Sequence, residues 1–381
     1  MRTILYIVNQ LRKAGPLFFL HDIIRYLNRS EFRPVIVKLM EDDPDRSITP
    51  LFVEMGAEVY GLDCSFAELE LNPAKVARKV ERLAERCGAD IVHTHGYHPV
   101  LVAARMKKRY VRMETLHCIC REDFVFSKGM LVGRYMNQRY LRNLARLDAA
   151  AAISQSVREF YRMALPHMDV RLIYNGVETC RFKKATAASR TALREKLGLP
   201  QGRTLFVSVG TLSHRKDPVT VIEAYKKAFR SNDDQAPLLV FLGKGPLAES
   251  CGKLAAGWGN MIFTGYVFNP DEYLQVADYS VCASRSEGFG LNIIESLLCG
   301  VPTICSDIGP FTEFLSPYPA LRSLQFRVGI VEELKEKLLE ANRSPIDMTD
   351  ISEDIGNRFS AQQMASGYME LYKELTKRHE E

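Results

Sequence analysis

The sequence predicts two doubly wound α/β domains, each a parallel sheet covered on both faces by helices. The first observation is a rhythm: short apolar, β-branched runs alternate with helical patterns such as "PLFFLHDIIRYLNRS" and "PVTVIEAYKKAFRSN", as βαβ units do. The second is a grouping. The runs "RTILYIV", "RPVIVKL", "ADIVHTH" and "DAAAAIS" are separated from "TLFVSVG", "PLLVFLG", "YSVCAS" and "VPTICS" by the polar segment Phe182 to Arg203. The third is size, because 381 residues exceed most single domains. The boundary is expected near 180–200, giving domains of 1–182 and 183–360.

In an open parallel sheet ligands bind beyond the carboxyl ends of the strands, so the residue types found there indicate the chemistry. "RTILYIV" is a first buried strand, and "KAGPLFFLHDI" then sets Gly15 and Pro16 at a strand-to-helix turn. The acidic stretch "EDDPD", Glu41 to Asp45, contains the only DxD and reads as a surface loop. "DIVHTHGYH" puts His93 and His95 on one face of a strand end with His98 beyond, a metal set that lacks a third ligand of its own. "METLHCIC" places His117 after another short strand.

In the second group, "TLFVSVG" leads to "TLSHRKDP". Arg215 and Lys216 stand there at a strand end just ahead of a helix starting near Pro218, where cations and free N–H groups suit a phosphate. "PLLVFLG" leads to "GKGP" at Gly243 to Pro246, a tight turn open to close backbone approach. "YSVCAS" leads to "SEGFGLNIIESLLCG", Ser286 to Gly300. Leu291, Ile294, Leu297 and Leu298 follow helical spacing, ended by Gly300 and Pro302. Glu287 belongs to the loop before that helix and Glu295 to the helix itself. A carboxylate accepts hydrogen bonds from two neighbouring hydroxyls, as a sugar or ribose diol offers. The closing "SAQQMASGYMELYKELTKRHEE" is a helix with Met364, Tyr368, Leu371 and Leu375 on one face, which must dock on something.

Composition narrows the class. With 46% hydrophobic and 25% charged residues the chain is globular. It shows no apolar run of membrane-spanning length, and its first residues lack a small-residue cleavage site. Nine scattered cysteines without a CxxC pair fit reduced thiols and a cytoplasmic protein. The net charge of +5 is uneven: residues 1–184 hold 30 Lys/Arg and 21 Asp/Glu, and residues 101–146 alone hold 11 and 3. Such a basic surface points to an anionic neighbour. Nucleic acid is disfavoured because no reading motif accompanies it. "RMKKRYVRM" and "SKGMLVGRYMNQRYLRNLAR" mix cations with apolar residues, as an interfacial surface does.

Taken in order, these pieces resemble the retaining glycosyltransferases of family four. That family has the GT-B fold of two facing Rossmann-like domains, with a C-terminal helix crossing back onto the first. The likeness runs nearly end to end: the turn at Gly15, "DIVHTH", "TLHC", "AAISQSV", "IYNGVETCRF", "VSVGTLSHRKDP", "FLGKGP", "FTGYV" and "ADYSVCASRSEGFGLNIIESLLCGVPTICSD". Its most specific part is the E-x7-E spacing of Glu287 and Glu295, with Gly-Phe-Gly after the first. The resemblance implies that Glu295 binds the donor ribose and Glu287 the donor sugar. Lys216 and Arg215 would neutralise the diphosphate, and His117 would line the sugar site. Gly15, Gly210, Gly243, Gly288, Phe289, Gly290 and Leu291 would complete the donor site, mainly through backbone. Where the family usually has Arg after the strand-end glycine this chain has Thr211, a place Arg215 would fill.

The implied reaction moves a hexosyl unit from a nucleoside-diphosphate sugar, UDP-sugar favoured, to a hydroxyl of a glycan or polyprenyl-diphosphate-linked acceptor. It would keep the anomeric configuration and need neither metal nor cofactor. Peripheral attachment to an anionic membrane through residues 101–146 is a further expectation. The competing readings are a sugar-nucleotide epimerase of the same fold and a non-catalytic sugar-nucleotide-binding subunit.

Overall fold

The computed structural model of the chain describes residues 1–231, 233–343 and 346–380. It contains two compact units, Met1–Gly176 with the last helix from Ala361, and Val177–Ser360. The first holds seven strands: β1 (Arg2–Val8), β2 (Phe32–Lys38), β3 (Glu58–Gly61), β4 (Ile91–Thr94), β5 (Val111–Leu116), β6 (Ala149–Ala152) and β7 (Val170–Leu172). All pair in parallel in the order β3-β2-β1-β4-β5-β6-β7. The second holds β8 (Leu205–Val209), β9 (Leu238–Leu242), β10 (Met261–Gly265), β11 (Tyr279–Cys282), β12 (Thr303–Ser306) and β13 (Gln325–Phe326). They too are parallel, in the order β10-β9-β8-β11-β12-β13. The order reverses between β1 and β4 in one sheet and between β8 and β11 in the other. Those are the points where an open sheet leaves a crevice for ligand.

Central strands are buried along their length because helices cover both faces, and most of their residues are apolar. Ile4 to Val8 of β1 and the four alanines of β6 are each no more than 1% exposed. The four edge strands are β3, β7, β10 and β13. Most of their residues are only partly buried, so they carry no continuous apolar run, and the sequence pattern does not reveal them. The closing helix, Ala361–Glu380, packs on the first unit. Met364, Tyr368, Leu371 and Leu375 are no more than 5% exposed, so the predicted apolar face has its partner. The Tyr372 hydroxyl lies 2.7 Å from His93 Nδ1, and the Tyr368 hydroxyl 2.9 Å from Thr115 Oγ1.

One expectation is corrected here. The stretch "RMKKRYVRM" is not interfacial: Met106, Tyr110, Val111, Arg112 and Met113 are at most 4% exposed. Arg112 forms an ion pair with Asp148 at 3.1 Å, and Arg109 is paired with Glu85. β5 begins at Val111, so the end of this stretch serves the core, while Lys107 to Arg109 are exposed in the turn before it. The acidic loop likewise has structural work, since Asp42 accepts from Lys38, Ser47, Thr49 and the Leu11 N–H.

β5 also buries a carboxyl. Glu114 is 1% exposed and accepts from the Gly96 N–H and the Tyr140 hydroxyl, each at 2.9 Å, with Thr94 in contact as well. Burial pushes its pKa up to about 8, against the lowering effect of those hydrogen bonds. The folded chain therefore binds a proton that the unfolded chain has released. The stability this contributes is fully present below the ordinary carboxylate pKa and is lost as pH rises through about 8. The slope is about 1.4 kcal/mol per pH unit across that window. Chemical denaturation should show Glu114→Gln losing that part of the slope; an unchanged slope would refute the assignment.

Candidate active site

The site residues of the second unit sit at the β8/β11 reversal. After β8 the chain turns at Gly210 and runs to Asp217, which opens the helix Pro218–Ala228. Asp217 caps that helix, accepting from the Thr220 N–H at 3.3 Å and from its hydroxyl at 2.8 Å, although its φ of 49° is left-handed. Such a conformation costs a non-glycine residue energy that its surroundings must offset. Asp217 is also ion-paired with Arg285 at 2.7 Å, and the Arg285 N–H donates to the Arg215 carbonyl at 2.8 Å. The loop after β8 and the loop after β11 are thus cross-braced into one block.

That block assembles Glu287 with the two cations. Its carboxylate lies 2.5 Å from Lys216 Nζ and 2.9 Å from Arg215 Nη1, and it accepts from the Ser284 hydroxyl at 2.9 Å. Arg215 Nη1 also donates to the Ser286 carbonyl at 3.2 Å. The Glu287 side chain is only 9% exposed. Burial alone would raise its pKa, but the charges of Lys216 and Arg215 outweigh that and hold it below the usual carboxylate value. Burial would lower the Lys216 pKa, and the Glu287 charge more than restores it. Both groups are charged at neutral pH.

Glycines shape the surrounding turns. A Cβ at Gly243, where φ is 150°, would stand 2.0 Å from the Gly210 carbonyl oxygen, so the "GKGP" turn presses directly on the β8 turn. Gly290, with φ of 106°, precedes the helix Leu291–Leu298, and a Cβ there would lie 2.4 Å from the Phe311 ring. Phe289 packs its ring on Phe314 and Phe359 at 5.5 and 5.6 Å between centroids. Its side chain therefore anchors the loop in the core, and its backbone is what remains for a ligand. Asn292, which sequence reasoning does not single out, donates to the Val209 carbonyl at 3.2 Å and ties this helix to β8. Its only sequence signal is a polar residue in the first turn of an apolar helix.

Glu295 lies in the same helix, one turn from its end, and is partly exposed. Burial pushes its carboxyl up to about 7, with Arg181 and Lys216 pulling the other way. Among the described residues it has no side-chain hydrogen-bond or ion-pair partner. The two glutamates of the E-x7-E pattern thus differ: Glu287 is charged and paired with two cations, whereas Glu295 has no side-chain partner among the described residues and its pKa is raised to about 7. A carboxyl with a raised pKa and no side-chain partner, on the helix that follows β11, makes Glu295 a candidate site residue.

In the first unit, Gly15 opens the helix Gly15–Tyr26 and is exposed, and a Cβ added to it would meet nothing within 4 Å. Phe19 of that helix meets His117 edge-on at 4.9 Å, which brings Gly15 and His117 to one end of the sheet. His117 Nε2 is 3.0 Å from His95 Nδ1, so one of the two nitrogens carries a proton. Burial holds the His117 pKa at about 3, so its imidazole is neutral. His93 is bridged between Tyr372 and Thr115, and His98 lies 2.8 Å from Glu70. The three histidines of "DIVHTHGYH" are therefore engaged in separate hydrogen bonds, and no group of three potential metal ligands occurs among the described residues.

Comparison with known proteins follows the same division. Residues 18–181 match the family model described as Glycosyltransferase Family 4, and residues 189–356 match that of Glycosyl transferases group 1. The chain is 28% identical over 239 residues to the alpha-monoglucosyldiacylglycerol synthase of Streptococcus pneumoniae, a match taking in 59% of this chain and 54% of that one. It therefore spans about half the length of that relative. It is 24% identical to the N-acetyl-alpha-D-glucosaminyl L-malate synthase of Bacillus anthracis, over 78% of both chains. To the O-antigen biosynthesis glycosyltransferase WclY of Escherichia coli it is 22% identical over 98% of both. Among solved structures, a sucrose-phosphate synthase from Thermosynechococcus elongatus superposes with a TM-score of 0.83 at 18% identity, covering 99% of this chain and all of that one. The Anabaena protein HepE, in complex with UDP and glucose, gives 0.78 at 17% identity over 98% of this chain and all of that one.

Proposed function

The chain belongs to glycosyltransferase family four, with the GT-B fold, and within it we propose a retaining hexosyltransferase that uses a nucleoside-diphosphate sugar. The acceptor in this reading is a hydroxyl of a glycan or lipid-linked intermediate in bacterial cell-surface polysaccharide synthesis. The observation that carries it is the Arg215–Lys216–Glu287 cluster at the β8/β11 reversal, with Glu295 unpartnered on the adjoining helix. UDP is the favoured nucleotide because HepE was solved with it. The cell-surface setting is drawn from relatives such as WclY and the putative teichuronic acid biosynthesis glycosyltransferase TuaC of Bacillus subtilis.

In this reading Lys216 and Arg215 hold the diphosphate and stabilise the charge it gains as the sugar departs, so no metal is required. Glu287, already ionised, accepts from the sugar hydroxyls, while backbone N–H groups from Gly288 to Leu291 approach sugar and phosphate. Gly210 and Gly243 keep the turns low beneath them. On the first domain, Gly15 and the neutral His117 are the donor-site residues that the family resemblance implies. Retention follows a front-face attack in which the donor phosphate takes the acceptor proton. Exclusion of water matters because hydrolysis competes with transfer.

Glu295 provides a direct test. To accept from the two ribose hydroxyls it must be ionised, and its pKa of about 7 makes that pH-dependent. Donor affinity should fall as pH drops below about 7, where binding must first release the Glu295 proton. Glu295→Gln should weaken donor binding about tenfold to a hundredfold, in keeping with charge-assisted bonds of about 1.5–3 kcal/mol, and flatten the profile. Calorimetric titration with UDP across that range is the check. A wild-type affinity independent of pH would remove Glu295 from the ribose.

A further inference from the structure

The helices Cys120–Lys128 and Met130–Leu144 form a hairpin whose tip is unusually apolar for an exposed surface. Within ten residues Phe126, Met130, Leu131, Val132 and Tyr135 are 46, 59, 84, 52 and 58% exposed. Isolated exposed apolar residues are ordinary, whereas five together mark a surface with a partner.

The tip is a built feature. A Cβ at Gly133 would lie 2.7 Å from the backbone of Phe124 and Val125, so the two helices cross in direct contact. On the inner face Gly133, Tyr140, Asn143 and Leu144 are buried, and the Tyr140 hydroxyl is held by Glu114. Arg139 ties the second helix to Glu70 by an ion pair. The five apolar side chains are therefore displayed on a braced scaffold.

Charge indicates the partner. Residues 124–147 contain five Lys/Arg and no Asp or Glu. Of those cations Lys128, Arg134, Arg142 and Arg146 are exposed. Leu131 and Val132, the apex of the patch, stand between Lys128 and Arg134 in sequence. Aliphatic and aromatic side chains flanked only by cations match the boundary between acyl chains and anionic headgroups.

We propose that this hairpin tip docks the chain on an anionic bilayer, its apolar side chains entering the headgroup region while Lys128 and Arg134 meet lipid phosphates. Within the basic surface of residues 101–146 the proposal concerns the hairpin alone, since the apolar residues of the preceding stretch, Met106, Tyr110, Val111 and Met113, are in the core. Docking of this kind suits the lipid-linked acceptor read above but rests on the hairpin alone.

The test is co-sedimentation of the full chain with vesicles of phosphatidylcholine, and of phosphatidylcholine mixed with phosphatidylglycerol. The wild type should sediment with the anionic vesicles only and be released by added salt. The double variant Leu131→Asp, Val132→Asp should bind at least about tenfold more weakly, with its melting temperature and its thermal response to UDP unchanged. Lys128→Glu with Arg134→Glu, which keeps the apolar tip, should also lose binding. No sedimentation of the wild type, or binding indifferent to both variants, overturns the proposal. So does light scattering that shows a dimer which the Asp variant dissociates, because the tip would then be an interface between copies. Failure of every nucleotide sugar to bind would leave this result standing and strike the catalytic reading only.

Discussion

Lys216→Ala is expected to lower kcat by roughly 10²- to 10³-fold, about 2.7–4 kcal/mol, the usual cost of removing one preorganised group that faces charge developing in the transition state. Lys216 has few ways to be replaced. Its ammonium is 2.5 Å from Glu287, and its stem runs beneath Gly210, where an added Cβ would already sit 3.3 Å from Lys216 Cε. An Arg at this position has a bulkier planar head, so Lys216→Arg should recover only part of the rate. Because charge on the leaving diphosphate grows as the sugar departs, kcat should fall more than the donor KM rises. A raised KM with kcat unchanged would mean that Lys216 contributes only binding that ground and transition states share.

Glu287→Gln carries the second large effect, and it appears in two observables. The carboxylate pairs with Lys216 and Arg215 together, and its side chain is 9% exposed against 18% and 33% for theirs. Removing one partner of a buried pair costs about 3–5 kcal/mol. The partial exposure of both cations places the expected loss nearer the lower figure. For a chain of two domains that is a fall of several degrees in the melting temperature of the second. Turnover should fall by a factor similar to that for Lys216→Ala, since the sugar loses its acceptor and the cations lose their brace. An anion fills part of the gap, so UDP should stabilise Glu287→Gln more than it stabilises the wild type. Scanning calorimetry with and without UDP separates the two losses. A variant as stable and as active as the wild type would show Glu287 to be dispensable.

Much of this was legible in the sequence, for identifiable reasons. The eight runs assigned as strands correspond to β1, β2, β4, β6, β8, β9, β11 and β12, and the short strand before His117 to β5. Buried on both faces, most of these strands are rich in apolar residues, and that is the signal the sequence carries. The unassigned edge strands need not be: β3 reads "EVYG" and β13 is only "QF". The loop position of Glu287 followed from Gly288 and Gly290 beside a helical pattern. Its pairing with Lys216 and Arg215 did not, because 71 positions separate Lys216 from Glu287 and only the β8–β11 pairing brings them together. The brace between Asp217 and Arg285 was illegible for the same reason. The misreading of "RMKKRYVRM" has a different cause. Lys107 to Arg109 are exposed in a turn, whereas Arg112 is a buried strand residue whose charge is met by Asp148, and composition alone does not separate the two.

The central claim is that the β8/β11 reversal binds a nucleoside-diphosphate sugar through Lys216. It is tested most directly by thermal shift of the wild type and Lys216→Ala against UDP-, GDP- and ADP-sugars, with chelator present throughout. A ligand at about a hundred times its Kd adds about 2.7 kcal/mol to the stability of the unit that binds it. At least one donor, with UDP-sugars favoured, should raise the wild-type melting temperature by several degrees, and Lys216→Ala should lose most of the shift. A wild type that no nucleotide sugar stabilises, or a shift equal in both proteins, would contradict it.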